Sequence, residues 1–431
     1  MPAACPEGRF ASRDLPDFVK KNVLIIGAGG VAHVVAHKLA GAVADIGNLH
    51  IASRTGSKCE AIMTSISARI AAHVPLRSHR LDAFDVEATM ALIRQTGASI
   101  VVNVGPSFIN MAVLRAAIET GAAYIDTAIH EDPAKVCEQP PWYANHEWTH
   151  REECAQKGVT AILGAGFDPG VVNAYVALAA QQHFDVLDSI DIIDVNAGSH
   201  DSYFATNFNA EINLREFTGE VWSRRQGKWV ANAMFEISRE DDLPVLGRQQ
   251  TFLTGHDEIH SLSAHFPDAD IRFWMGFNPQ YIAVFDVLRN LGLLSEKPVT
   301  MGDGRQVVPL KLLQAVLPDP SSLAPHYHGK TFIGVLVKGT KAGAPRDLLL
   351  FNVCDHEACF AEIGSQAIAY TAGVPAAAAA LLVARGDWNV GQMVNVEQLP
   401  PQPFLDLISQ LGLPTFMQDR YSNPIMVEGQ T

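Results

Sequence analysis

The chain has 431 residues, 48% hydrophobic and 18% charged, and its 32 basic against 46 acidic side chains leave a formal charge of −14. At roughly 150 residues per domain this length implies two or three domains, and the composition is globular, with ample apolar material for a core. So acidic a surface repels phosphate backbones and anionic lipid heads, so neither nucleic acid nor a membrane is an expected partner. Six cysteines, at 5, 59, 137, 154, 354 and 359, are too sparse for a disulfide framework. The N-terminus has no apolar segment behind basic residues, so no secretory leader is read there. The longest apolar run, 374–384, contains Pro375 and is too short to cross a bilayer. A reducing, cytoplasmic setting is expected.

Residues 1–20 read as a polar tail. From Lys21, apolar strands at 22–26, 48–53, 78–81, 99–104, 122–125 and 159–163 alternate with helices at 31–43, 57–72, 86–95, 108–120 and 140–157. Strands that are apolar on both faces and separated by helices predict a doubly wound parallel sheet, hence a Rossmann-like α/β domain over 21–166. Beyond Pro169 the texture changes. The run 189–196 (SIDIIDVN) alternates apolar and acidic residues as a half-buried strand does. Segments 220–230, 233–237 and 249–253 also read as strands, and 331–338 with 347–353 as a hairpin. They predict a second, α+β domain on an open mixed sheet over 167–356. The Ala-rich stretch 357–385 reads as helix interrupted at Gly373-Val374-Pro375, and 401–431, with scattered prolines, as an extension over the surface.

The sharpest local signal is 23–32 (VLIIGAGGVA), a glycine turn after a strand and before a helix. Gly27 permits the tight turn, Gly29 lets backbone approach a pyrophosphate, and Ala32 stands where a third glycine is often found. Gly30 and Val31 open the helix whose N–H groups and dipole would hold that pyrophosphate. The second strand ends Ser53-Arg54-Thr55, with no carboxylate to grip a ribose 2′-hydroxyl. Arg54 offers a fork suited to a 2′-phosphate, Ser53 and Thr55 offer hydroxyls, and Lys58 adds charge, which favours NADPH over NADH. Asp82 is placed either for the adenine edge or as an ordinary loop aspartate. Asn103-Val104-Gly105-Pro106 and Asp126-Thr127 follow later strands, where the nicotinamide should lie. Asp126 would orient a substrate or cap the following segment.

Three further segments carry a family resemblance. The run 162–170 (ILGAGFDPG), taken with the glycine turn and Tyr124-Ile125-Asp126-Thr127, resembles the saccharopine dehydrogenase family. Residues 203–213 (YFATNFNAEIN) and 352–357 (NVCDHE), continuing through Gly364-Ser365-Gln366 and Tyr370 to Gly373-Val374-Pro375, resemble its carboxynorspermidine synthase (carboxyspermidine dehydrogenase) branch. The resemblance covers about residues 21–400. It implies NADPH-dependent condensation of L-aspartate β-semialdehyde with a diamine, 1,3-diaminopropane or putrescine, in polyamine biosynthesis. It also implies a homodimer, a Rossmann domain completed by C-terminal helices at about 357–400, and a central domain with substrate and subunit contacts.

Reduction of an imine asks little of protein side chains beyond position. Tyr203, Asn207 and Asn209 are candidates to bind the amino acid end, and Arg215 to pair its carboxylate. Asp168 and Glu211 are candidates to receive ammonium groups. His356, between Asp355 and Glu357, is the candidate proton donor, since a neighbouring carboxylate raises a histidine; the alternative is a helix cap with Asp355 at its N-terminus. Cys354, His356 and Cys359 lack a second ligand pair, so no metal is expected. Two rivals stand beside this reading: a related enzyme acting on a different aldehyde and amine, and a non-catalytic dinucleotide-binding regulatory protein.

Overall fold

Parallel strands, aliphatic and buried on both faces at the centre of their sheet, set the first half of the molecule. In the computed structural model, which describes residues 19–135, 138–419 and 425–427, six of them are β1 (Lys21–Ile26), β2 (Ile46–Ser53), β3 (Leu76–Arg80), β4 (Ile100–Asn103), β5 (Ala123–Asp126) and β6 (Ala161–Leu163). They form a parallel sheet ordered β3-β2-β1-β4-β5-β6. Every residue of β4, β5 and β6 is buried, as expected where helices cover both faces. The intervening helices are α1 (Gly30–Ala40), α2 (Gly56–Arg69), α3 (Val86–Thr96) and α4 (Asn110–Thr120), and the last two stop at left-handed Gly97 and Gly121. The stretch 140–157 is not one helix. It breaks into Trp142–Asn145, Glu147–His150 and Arg151–Lys157 at His146, whose φ of −127° and ψ of −96° leave the helical region. The tail at 1–18 lies outside the described residues.

The second sheet has ten strands and is mixed. Its centre is β7 (Val186–Asn196), parallel to Asp270–Gly276 on one side and antiparallel to Lys330–Lys341 on the other. The hairpin Lys330–Lys341 with Ala344–Asp355 is longer than its apolar core alone predicts. The stretch 220–230 is itself a hairpin, Val221–Arg225 with Lys228–Asn232, turning at Gln226 and Gly227. Segment 233–237 is a turn, not a strand. Phe235 sits at φ 63°, and the Glu236 carboxylate accepts the Ala233 N–H at 2.9 Å. Ser238–Leu243 and Asp270–Gly276 are strands that the sequence reading passed over.

The helical break falls at Gly364 (φ 74°), between His356–Ile363 and Ala367–Arg385, and not at Gly373-Val374-Pro375. Pro375 lies inside the second helix, which is buried along almost its whole length and packs on α1. Burial overrides the local cost of proline. Among the described residues, the C-terminal segment is core and not a surface wrap. Met393–Asn395 adds a seventh parallel strand beside β6, the helix Pro401–Gln410 buries Phe404 and Ile408 completely, and Phe416–Asp419 pairs with Ala344–Asp355.

Candidate active site

A cavity of about 1440 Å³ runs from the carboxyl ends of β1, β2 and β4 into the second domain. At its first end Gly27 has φ 121°, and a Cβ there would meet the Val104 carbonyl oxygen at 2.8 Å, so only glycine fits. Gly29 precedes α1 with no side chain capping the helix, and a Cβ there would enter open space. The first-turn N–H groups therefore lie bare to the cavity, the arrangement that binds anions. Gly30, Val31, Ser53, Arg54, Thr55, Lys58, Asp82, Val104, Gly105, Pro106 and Thr127 also line it. Lys58 pairs with Asp319 at 3.3 Å, whereas Arg54 has no hydrogen bond or ion pair to any described residue. Asp82 accepts the Phe84 N–H at 3.2 Å, so it shapes its own turn while facing the cavity. This donor set fits a phosphorylated dinucleotide.

Four sequence candidates do not line the cavity: Asn103, Asp126, Glu211 and His356. Asn103 is buried beneath the turn it supports, accepting the Gly105 N–H at 3.3 Å and donating to Asn110 and the Tyr124 hydroxyl. Asp126 is 1% exposed and takes the capping role: Oδ1 accepts the Gly164 N–H at 2.7 Å and anchors the glycine run that follows β6. Burial pushes its carboxyl up to about 7. Glu211 is spent on an ion pair with Lys311 and a looser one with Arg215 at 3.7 Å.

His356 stacks on Tyr327 with ring centroids 3.8 Å apart. Its Nδ1 accepts the Ala367 N–H at 3.1 Å, which leaves Nε2–H to donate to Asn196 Oδ1 at 3.1 Å. That is a neutral imidazole with both nitrogens used, and burial lowers it to about 4, outweighing Asp355. Asp355 instead caps the helix, accepting the N–H groups of Glu357 and Ala358. His356 is a structural residue, not the proton donor.

Beyond the cofactor end, the turn 164–170 presents Asp168 to the cavity. Gly170, at φ 136°, leaves no room for a Cβ, which would lie 2.1 Å from the Gly166 carbonyl oxygen. Asp168 faces Asp194 of β7; burial raises both carboxyls, with repulsion from Asp194 adding to the rise of Asp168 and repulsion from Glu258 to the rise of Asp194. Glu216, pushed up to about 8 by burial, and Asp257, pushed up to about 6 by burial, complete a carboxylate wall. Nearby, Glu131 is raised by burial to about 7 and accepts the Ser107 hydroxyl at 2.9 Å. Among these groups lies His256, which the sequence reading missed. Its Nδ1 bonds Glu258 Oε2 at 2.6 Å and its ring stacks on Phe273 at 4.2 Å. Burial alone would lower this imidazole, but Glu258, Asp168 and Asp257 raise it well above its ordinary value.

Tyr203, Asn207, Asn209 and Arg215 all line the same cavity. Asn209 caps the helix Ala210–Glu216 through Oδ1, and Asn207 Oδ1 accepts the Tyr327 hydroxyl at 2.8 Å, so each turns only its amide N–H groups to other uses. Tyr203 is largely exposed. Arg215 is 6% exposed; Nη2 donates to the Pro133 carbonyl at 2.8 Å and to Glu296, while Nε and Nη1 have no hydrogen bond among the described residues. A buried guanidinium whose Nη1 has no partner among the described residues is suited to a carboxylate.

Comparison with known proteins agrees with this geometry. The model of the saccharopine dehydrogenase NADP binding domain matches residues 23–162, and that of the saccharopine dehydrogenase C-terminal domain matches residues 166–413. A Vibrio alginolyticus protein named carboxynorspermidine synthase is 41% identical over 400 residues, 92% of this chain and 97% of its own. A Synechocystis sp. protein named carboxyaminopropylagmatine dehydrogenase is 40% identical over 396 residues, 91% and 96% of the two chains. Among solved structures, apo saccharopine dehydrogenase (L-Glu forming) from Saccharomyces cerevisiae superposes with a TM-score of 0.68 at 15% identity, over 93% of this chain and 99% of that one. The shared sheets, the dinucleotide turn and these matches together place the chain in the saccharopine dehydrogenase family.

Proposed function

We propose that the chain catalyses the NADPH-dependent reductive condensation of L-aspartate β-semialdehyde with a diamine, 1,3-diaminopropane or putrescine, giving carboxynorspermidine or carboxyspermidine in polyamine biosynthesis. The observation that carries this reading is the cavity's polarity: an anion-binding turn and Arg54 at one end, a carboxylate wall at the other. In this reading Gly27, Gly29, Gly30 and Val31 hold the pyrophosphate, and Ser53, Arg54, Thr55 and Lys58 the 2′-phosphate. Asp82 meets the adenine, and Val104, Gly105, Pro106 and Thr127 the nicotinamide. Bound there, NADPH supplies a hydride to the imine carbon. Arg215 pairs the amino acid carboxylate, with Asn207, Asn209 and Tyr203 beside it. Asp168, Asp194, Glu216 and Asp257 receive the cationic tail of the amine. A guanidinium tail suits that wall equally, and the name of the Synechocystis relative favours including agmatine as a second amine.

The assay follows NADPH absorbance with aspartate β-semialdehyde and a panel of diamines and agmatine. Consumption that needs both aldehyde and amine is expected; cofactor binding without turnover for any aldehyde and amine would replace this reading with a regulatory one. We also propose a cytoplasmic homodimer. The described cysteines are free, and exposed Val287, Leu291, Met301, Leu312 and Val316 concentrate apolar surface in segment 287–316. Light scattering at twice the mass of one chain is the expected result.

A further inference from the structure

Two histidines in this chain stand beside acidic residues at the mouth of a helix, and the fold treats them oppositely. His356 is locked in a neutral hydrogen-bond pair away from the cavity. His256 lines the cavity, in the loop between the strand Gly247–Thr254 and the helix Glu258–His265. Two contacts fix its ring. Glu258, fully buried, holds Nδ1 at 2.6 Å, and Phe273 covers one face at 4.2 Å. Its neighbour Asp257 accepts the Ile129 N–H at 2.6 Å, tying this loop to the segment after β5 where the nicotinamide end lies. Nε2 has no hydrogen-bond partner among the described residues. The groups facing the ring are Glu258 and Asp257 from its own segment, Asp168 from the glycine turn, Asp194 from β7 and Glu216 from the helix Ala210–Glu216, with His260 beneath. His260 accepts the Trp142 N–H at 3.0 Å, so it competes for no proton.

We propose that His256 is the general acid that expels water from the carbinolamine, with Glu258 as the residue that orients it. This deepens the condensation reading and rests on it. In the step, Nε2–H gives its proton to the carbinolamine hydroxyl and the C–O bond breaks. The nitrogen lone pair forms the C=N bond. Water leaves, the iminium carries the positive charge, and the imidazole is left neutral. The surrounding carboxylates stabilise the charge in whichever place it resides, and Glu258 holds the tautomer that aims Nε2 at the cavity.

The test compares wild type with His256→Ala and His256→Gln in the full chain, using NADPH and NADPH deuterated at the transferred position. Expected is a loss of kcat of roughly 10²–10⁴-fold, with unchanged NADPH affinity by fluorescence titration. The deuterium effect on kcat should collapse towards one, since dehydration moves no hydride, and added imidazole should restore turnover to the alanine variant. Variants that keep the wild-type deuterium effect and ignore imidazole would overturn the assignment and leave His256 a charge partner. Should the alanine variant fail to fold, the glutamine variant carries the isotope test alone. A wild type silent with every aldehyde and amine would remove the condensation reading, and this inference with it.

Discussion

In the proposed site, a single arginine sets the preference between dinucleotides. Arg54 stands at the end of β2 with no partner among the described residues, beside the hydroxyls of Ser53 and Thr55. A charge-assisted contact to a phosphate contributes about 1.5–3 kcal/mol. Arg54→Asp should therefore raise the Kd for NADPH roughly 10–100-fold and leave that for NADH little changed; equal losses in a paired titration would remove the 2′-phosphate assignment. The carboxylate wall makes a separate prediction. Glu131, Glu216 and Asp257 are raised to about 7, 8 and 6, so the folded chain keeps protons that the unfolded chain has shed. Stability that is present at low pH is then lost as pH climbs through those values, and the raised His256 acts in the same direction. The buried histidines work oppositely: His37, His50 and His356, lowered to about 4, destabilise the fold only as pH falls below their ordinary value. Between about pH 6.5 and 8 the raised carboxyls and His256 act without opposition from the lowered histidines. The Tm of the ligand-free protein should fall across that window. A diamine, favouring the ionised wall, should flatten the decline; a scanning-fluorimetry slope indifferent to diamine would argue that the amine binds elsewhere.

At the scale of elements, periodicity and glycine chemistry carried most of the Rossmann half, because its central strands β4, β5 and β6 are buried on both faces and α1, α3 and α4 end at glycines. The same cues misled where packing overrules them. Gly373-Val374-Pro375 looks like a helix stop, yet Gly373 is a contact point: a Cβ there would lie 2.5 Å from Val34 Cβ on α1. The helix continues through Pro375 because its neighbours bury it. Gly373→Ala should thus cost about 1–3 kcal/mol by overpacking the α1 contact, although alanine is the better helix former; a stabilised variant in chemical denaturation would show the helices free to part. The strand Ser238–Leu243 was illegible for a related reason, since its acidic residues carry no apolar alternation and it pairs at a sheet edge. Residue type and local turn sufficed to place Gly27, Arg54 and Asp168 at the cavity. Asp355-His356-Glu357 and His256-Asp257-Glu258 are nearly the same signal in sequence. Which imidazole is charged depends on where the carboxylates point: Asp355 turns to the helix N–H groups, whereas Glu258 turns to the ring.

At the scale of the whole molecule, the two sheets are not independent units joined by a linker. The last segment of the chain supplies a strand to each: Met393–Asn395 extends the parallel sheet beside β6, and Phe416–Asp419 extends the mixed sheet beside Ala344–Asp355. Between them, Trp388, Phe404, Ile408 and Leu413 are completely buried. The helix Ala367–Arg385 packs on α1 from one domain and on Pro401–Gln410 behind it. Opening either sheet therefore strips apolar surface from the other. Cooperative unfolding follows from such shared burial, since neither half retains a closed core alone. Calorimetry should show one transition, with NADPH raising the whole of it and not a part. Removing residues 386–431 should abolish cofactor binding, although the phosphate-binding turn itself is intact in that variant, because the edge of its sheet and the cover of its helices have gone. Two separated transitions in the full chain, or a truncated chain that still binds NADPH, would mean that the Rossmann half closes its core without the C-terminal segment.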